Sequence, residues 1–169
     1  MAITMYSAAV PVFIQHLTGL KTVLEKGEAA VTARKLDPTV VLNERLYPDM
    51  FTLARQVRQA SEHALGAGRA AGVEVPKLPD LDNSFAEMQS RIDKTVDFLK
   101  TLKPAQLDGK EDSQISVVLG GQPRPFKAQT YLYNLAMPNF YFHITTAYNL
   151  LRHLGVEIGK RDFMGPPAA

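Results

Sequence analysis

The sequence predicts an all-α protein in which four amphipathic helices pack as a bundle, with a short β-hairpin before the last helix. Two observations lead to this fold class. Apolar residues recur at steps of mostly three and four in long segments, as they do along one face of a helix. One short stretch instead alternates apolar and polar residues and runs into a Gly-Gly pair, a pattern typical of a hairpin.

The first helix is predicted over residues 6–34. Ser7 is its expected N-cap, which leaves Pro11 close to the first turn, where proline is tolerated. Steps of 4, 3, 4, 3 and 4 separate the apolar residues Tyr6, Val10, Phe13, Leu17, Leu20 and Leu24. This spacing places all six side chains on one face of the helix, which we expect to lie in the core.

The second helix is predicted over residues 49–71, with Asp49 as its N-cap. A connection over residues 35–48 precedes it, because Pro38 and Pro48 disfavour helix at the residues before them. The apolar run 40–42 within this connection is expected to pack on the core as an ordered loop. The apolar stripe of the second helix consists of Met50, Leu53, Val57, Ala60 and Ala64.

The third helix has a clear sequence signal at its start. Ser84 and Glu87 form an S-x-x-E capping box, so the helix is predicted over residues 84–103, ending before Pro104. Its apolar stripe consists of Phe85, Met88, Ile92, Val96 and Leu99.

A hairpin is predicted within residues 113–127, followed by a last helix over residues 128–154. Pro138 lies inside this helix and is expected to kink or restart it. The connections between helices one and two and between three and four are both long. The second crossover, which carries the hairpin, therefore argues against the shortest up-down-up-down wiring.

Composition predicts one domain over residues 1–169, with 46% hydrophobic and 21% charged residues. The net charge of +2 predicts neither a nucleic-acid nor a membrane partner. The absence of Cys excludes disulfides, thiolate metal sites and Cys nucleophiles. No signal-peptide pattern and no apolar run of about 20 residues are present, so we expect a cytoplasmic protein.

A polar patch interrupts the apolar face of the last helix. Asn139, His143 and Thr146 lie there between apolar turns. Buried polar groups are costly without partners, so the patch either forms a hydrogen-bond network, binds a ligand or metal, or faces solvent. Gln56 on the second helix recurs in phase with Asp49, and it is expected to meet Asn139 or His143 across the bundle.

The other histidines carry weaker signals. His63 follows Gln56 by seven residues, but beside Glu62 it is expected to lie on a solvated helix surface. His153 beside Arg152 is expected to act as a favourable cation at a helix C-terminus. The sequence contains neither a His pair at i, i+4 nor an H-E-x-x-H motif.

Aromatic residues are crowded on the last helix, beyond those that its apolar stripe needs. The surplus consists of Tyr131, Tyr133, Tyr141 and Tyr148. An excess of this kind predicts a homodimer built on a helix face. Phe163 is expected to anchor the tail that follows.

Four stretches of the chain resemble an uncharacterised bacterial domain family that is similar to the DinB-like superfamily of four-helix bundles. They are YPDMFTLARQV (47–57), PNFYFHITTAY (138–148), LRHLGV (151–156) and GKRDF (159–163). The resemblance extends over nearly the whole chain and implies a DinB-like bundle.

DinB-like proteins commonly hold a divalent metal with three histidines, one from helix two and two from an H-x-x-x-H pair on helix four. The resemblance places these positions at Gln56, Asn139 and His143, of which only His143 carries the imidazole that zinc and nickel prefer. One interpretation is a non-catalytic or small-ligand-binding homodimer without a cofactor, in which these residues and Thr146 form the ligand site. The alternative is a divalent-metal-dependent hydrolase or thiol-transferase-like enzyme, its metal site built on His143 and completed by His16 or His63.

Overall fold

The computed structural model describes residues 3–80 and 83–166, and it shows a helical bundle with one β-hairpin. In chain order, the elements of these residues are α1 (Met5–Ala33), α2 (Pro38–Leu42), α3 (Leu53–Ala64), α4 (Gly66–Ala71), α5 (Phe85–Thr101), α6 (Pro104–Leu107), β1 (Gln114–Leu119), β2 (Gln122–Lys127), α7 (Ala128–Tyr131), a π-helical turn (Leu132–Ala136), α8 (Met137–His153) and α9 (Lys160–Met164). Within the described ranges, no helix has the length and apolar character that crossing a bilayer requires.

The four long helices α1, α3, α5 and α8 form the sides of the bundle. Helix α1 packs against α5 and α8, and α3 packs against the same two helices. Helices α1 and α3 therefore lie at opposite corners, as do α5 and α8. Each of the two long connections joins such a diagonal pair, which confirms the prediction against the shortest wiring. The predicted stripes of the first and third helices form the core almost without exception.

The first helix begins at another residue than predicted, because a better N-cap lies just before it, whereas the third helix begins as predicted. Helix α1 begins after Thr4, whose hydroxyl accepts from the Ser7 N–H, while the Ser7 hydroxyl accepts from the Thr4 N–H. Ser7 is thus the third helical residue and not the N-cap. At α5, Ser84 caps the Glu87 N–H as predicted, but the Glu87 carboxylate accepts from the Asn83 N–H.

The predicted second helix is two helices, α3 and α4, which are separated at Leu65. Its N-cap is Thr52 and not Asp49, because residues 47–50 form a turn closed by the Met50 N–H and the Tyr47 carbonyl. The predicted loop around residues 40–42 is the short helix α2. Its Val41 and Leu42 pack on the core, as the apolar run indicated, whereas Val40 is 58% exposed.

The hairpin has the predicted position and turn. Strands β1 and β2 pair antiparallel, with Leu119 opposite Gln122. Gly120 and Gly121 form the turn between them with φ values of 57° and 79°. Positive φ at both central residues is the geometry that favours glycine in two-residue hairpins.

Pro138 restarts the last helix, as predicted. Because proline has no N–H, the regular hydrogen-bond ladder cannot continue through it. The chain inserts one π-helical turn just before α8, in which the Met137 N–H donates to the Leu132 carbonyl five residues earlier.

The surplus tyrosines of this region contact other parts of the same chain. Tyr131 is buried in the core. The ring of Tyr141 meets His16 at 5.2 Å between centroids, and that of Tyr148 meets Phe163 of α9 at 5.7 Å. Phe163 therefore anchors the tail as expected. Because these tyrosines are covered by their own chain, they do not support the predicted homodimer. The homodimer stays a prediction.

Helix α9 lies on α1 over a glycine. A Cβ added at Gly19 would lie 2.5 Å from the Phe163 carbonyl oxygen and 2.9 Å from that of Asp162. Two polar contacts hold the same docking: Gln15 donates to the Met164 carbonyl at 3.0 Å, and Lys26 pairs with Asp162 at 2.7 Å. The absence of a side chain at Gly19 is thus what allows α9 to approach α1.

We predict that Gly19→Ala lowers the free energy of unfolding by roughly 1–3 kcal/mol, since its methyl group meets backbone atoms that cannot rotate away. Urea unfolding measures this change. Gly27→Ala is the matched control in the same helix, because its methyl group meets the movable ends of the Leu151 side chain. An equal effect of both substitutions would contradict the account of α9 docking.

Candidate functional site

The centre of the candidate site is a hydrogen bond between two buried polar side chains on facing helices. Gln56 of α3 is 1% exposed and His143 of α8 is 6% exposed. The Nδ1 atom of His143 lies 2.7 Å from the Oε1 atom of Gln56. An amide oxygen only accepts, so His143 donates its Nδ1–H. The Gln56 amide nitrogen donates in turn to the Phe51 carbonyl at 3.2 Å, which fixes the amide orientation. The predicted contact of Gln56 with His143 is confirmed.

His143 lies between two other rings. Phe51 is near-parallel to it, with an interplanar angle of 5° and centroids 6.1 Å apart. His63 stacks on it with an angle of 12° at 5.4 Å. The Arg55 guanidinium lies 3.7 Å from the centroid of the Phe51 ring. We call this series of Arg55, Phe51, His143 and His63 the ring column.

The expectation that His63 lies on a solvated surface is wrong. Its side chain is half-buried and stacked on His143. The seven-residue spacing from Gln56 could have indicated this position, because two helical turns return His63 to the face of α3 that meets α8. His153, by contrast, is exposed in the last turn of α8.

Both histidines of the column are neutral at pH 7. Burial lowers the pKa of His143 to about 4. Burial, followed by the proximity of His143 and Arg69, lowers the pKa of His63 to about 4. Since Nδ1 of His143 carries the proton, its Nε2 has a lone pair. Among the described residues, this atom and both ring nitrogens of His63 have no hydrogen-bond partner.

The two remaining residues of the predicted ligand set are bonded within their own helix. The Asn139 amide donates at 2.7 Å to the carbonyl of Leu135, which lies in the π-helical turn four residues earlier. The Thr146 hydroxyl donates to the Phe142 carbonyl at 2.7 Å. Neither is hydrogen-bonded to Gln56 or His143, so the network expected from the sequence consists of two members and not four.

The donor set does not fit the three-imidazole site that the resemblance implies. Gln56 Oε1 already accepts the His143 proton, and the Asn139 amide is bonded to its own helix. His16 lies elsewhere, with its Nδ1 atom 2.9 Å from the Val12 carbonyl and its ring against Phe163. In the ranges that the structure describes, no three His, Asp or Glu side chains are grouped so that they could hold a metal ion.

A cavity of ≈ 590 Å³ adjoins the ring column at His63. Its walls come from α3, α4, strand β1 and the start of the last helical segment. Glu62 and Arg69 line it as an ion pair, 3.1 Å apart, and the buried Arg91 guanidinium approaches the other Glu62 oxygen at 3.4 Å. This cavity could not be predicted from the sequence, because its walls meet only through the path of the long second crossover.

The fold and this site define the class of the protein as a DinB-like four-helix bundle with an altered polar centre. The chain matches the DUF1993 family, a domain of unknown function, over residues 5–164 and belongs to that family. It is also similar to a crystal structure of a DinB family member from Shewanella denitrificans, with 35% identity and a TM-score of 0.86, over 96% of this chain and 92% of that one. The search of curated proteins finds no match.

We predict that acid destabilises the protein through the ring column. Each column histidine has a pKa of about 4 when folded against about 6.5 when unfolded, so between these values the unfolded chain binds more protons. The free energy of unfolding should therefore fall as the pH drops from 6.5 towards 4, and this part of the loss should end near pH 4.

Urea unfolding at several pH values from 7.5 to 4.5 checks this prediction. His63→Phe keeps a ring in the stack but removes one titrating group, so its stability should fall less steeply over this window than that of the wild type. Parallel pH profiles for the two proteins would contradict the prediction.

Proposed function

We propose that this protein is a non-catalytic small-molecule-binding bundle whose ligand contacts the ring column and occupies the adjoining cavity. One observation carries the proposal: His63 forms both the end of the column and part of the wall of a ≈ 590 Å³ cavity, and its ring nitrogens have no partner among the described residues. Pockets of about 300–1,000 Å³ with a few convergent polar groups are typical of sites for organic ligands.

The chemistry of the cavity favours binding over metal catalysis. The Glu62–Arg69 pair balances its charge, and Gln56 and Asn139 offer amides where the superfamily has imidazoles. Amides are poor ligands for zinc or nickel. The alternative, a divalent-metal-dependent hydrolase or thiol-transferase-like enzyme, draws support from the Nε2 atom of His143 and the ring nitrogens of His63, which have no partner among the described residues.

The proposal includes a homodimer. Its support is a set of exposed apolar side chains that the chain itself leaves uncovered, including Phe142 at 55% and Tyr47 at 66% exposure. Phe142 contacts the His143 ring edge-on at 5.4 Å between centroids, so a second copy covering it would lie beside the ring column.

Native mass spectrometry of the untagged protein, combined with metal analysis, tests the proposal. We expect a dimer mass, an organic adduct that denaturing solvent releases, and no stoichiometric transition metal. His63→Leu should lose the adduct, and His153→Leu, which changes an exposed histidine, should retain it. If the ligand dissociates during purification, a thermal-shift screen of a metabolite collection can still identify it by a rise in the Tm of the protein.

The proposed binding function would be contradicted if no adduct appeared and no compound raised the Tm of the wild type more than that of His63→Leu. A monomer mass at high micromolar concentration would contradict the dimer. Stoichiometric zinc, nickel or iron that is lost in His143→Ala would favour the enzyme.

A further inference from the structure

The two faces of the His63 ring have different surroundings. One face stacks on His143 with centroids 5.4 Å apart. The same side chain lines the ≈ 590 Å³ cavity, whereas His143 does not. His143 covers one face of the ring, which leaves the other face and the ring edge as the parts through which His63 can line the cavity. The ring column therefore ends at the cavity wall.

The ring column is already held together by stacking between near-parallel rings, and an aromatic ligand would add one more stacked ring. Its near-parallel rings, Phe51, His143 and His63, follow one another at 6.1 and 5.4 Å between centroids. The Arg55 guanidinium lies over the Phe51 ring, 3.7 Å from its centroid. At the His63 end, no described ring or guanidinium takes the equivalent position.

We propose that the cavity binds an uncharged planar aromatic ring system, which stacks on the free face of His63 as the next layer of the column. This inference rests on the proposed function and names the chemical class of its ligand. Stacked aromatic pairs are more favourable than contact area alone accounts for, so a flat ring gains more here than a saturated one.

The charges of the cavity favour a ligand without net charge. Glu62 and Arg69, the charged residues of its lining, pair with each other at 3.1 Å, and the buried Arg91 also approaches Glu62 at 3.4 Å. Each charge of the wall is therefore already engaged by an opposite charge. Val117 of β1 and Leu135 of the π-helical turn supply apolar walls, while Gln59 and Ser116 supply groups that hydrogen-bond to polar atoms on a ring edge.

A matched pair of probes tests the inference: 2-naphthol, which is planar, and decahydro-2-naphthol, its saturated counterpart with the same carbon skeleton and hydroxyl group. Both are uncharged at pH 7. Isothermal titration calorimetry should show that the wild type binds 2-naphthol roughly fivefold or more tightly than the saturated alcohol. His63→Leu should lose this preference, whereas His63→Phe, which restores a ring face, and His153→Leu should keep it.

Three results would overturn the inference: equal affinity of the wild type for both probes, an undiminished preference in His63→Leu, or no binding of either probe at millimolar concentration. The proposed function is judged separately by the adduct and thermal-shift measurements. Equal affinity for both probes would leave small-molecule binding in place and refute only the requirement for a planar ring.

Discussion

The arrangement of the site depends on one buried hydrogen bond, between the Gln56 amide of α3 and the His143 imidazole of α8. Both side chains are almost completely enclosed, and a buried polar group that loses its partner costs about 1–3 kcal/mol. A slip of α3 along α8 would separate them and leave two such groups unpaired. The bond therefore selects one register of these helices from those that apolar packing alone would allow.

This register places the other members of the site. Phe51, just before α3, and His63, near the end of α3, both stack on His143, because α3 packs along α8. Enclosure then holds both imidazoles in their neutral forms. The last ring of the column borders a cavity that β1 and the π-helical turn complete. The site is thus a polar centre of one amide and two neutral imidazoles beside a cavity.

The sequence was sufficient for those features that short-range patterns encode. Apolar stripes predicted the long helices, the Gly120–Gly121 pair predicted the hairpin turn, and Pro138 predicted the interruption of the last helix. The contact of Gln56 with His143 could also be predicted, because two polar residues on apolar helix faces need partners. Such reasoning depends only on helical periodicity and on the cost of burial.

The errors arose where tertiary contacts decide between local alternatives. Thr52 caps α3 because the preceding connection closes a turn that contains Asp49, and α9 needs Gly19 through a contact more than a hundred residues distant in the chain. His63 looked solvated beside the charged Glu62, although its seven-residue spacing from Gln56 places it on the face of α3 that packs against α8. The cavity is formed by segments whose meeting follows only from the three-dimensional path of the crossover.

The protonation of the His143 ring at pH 7 tests the central claim most directly. Two-bond ¹H–¹⁵N correlation spectra of the labelled protein, with the His143 signals assigned by their loss in His143→Gln, report the state of each ring nitrogen. The account predicts a neutral ring with the proton on Nδ1, where Gln56 accepts it, and an unprotonated Nε2. A proton on Nε2 alone, or a doubly protonated ring at this pH, would contradict the hydrogen bond on which the site depends.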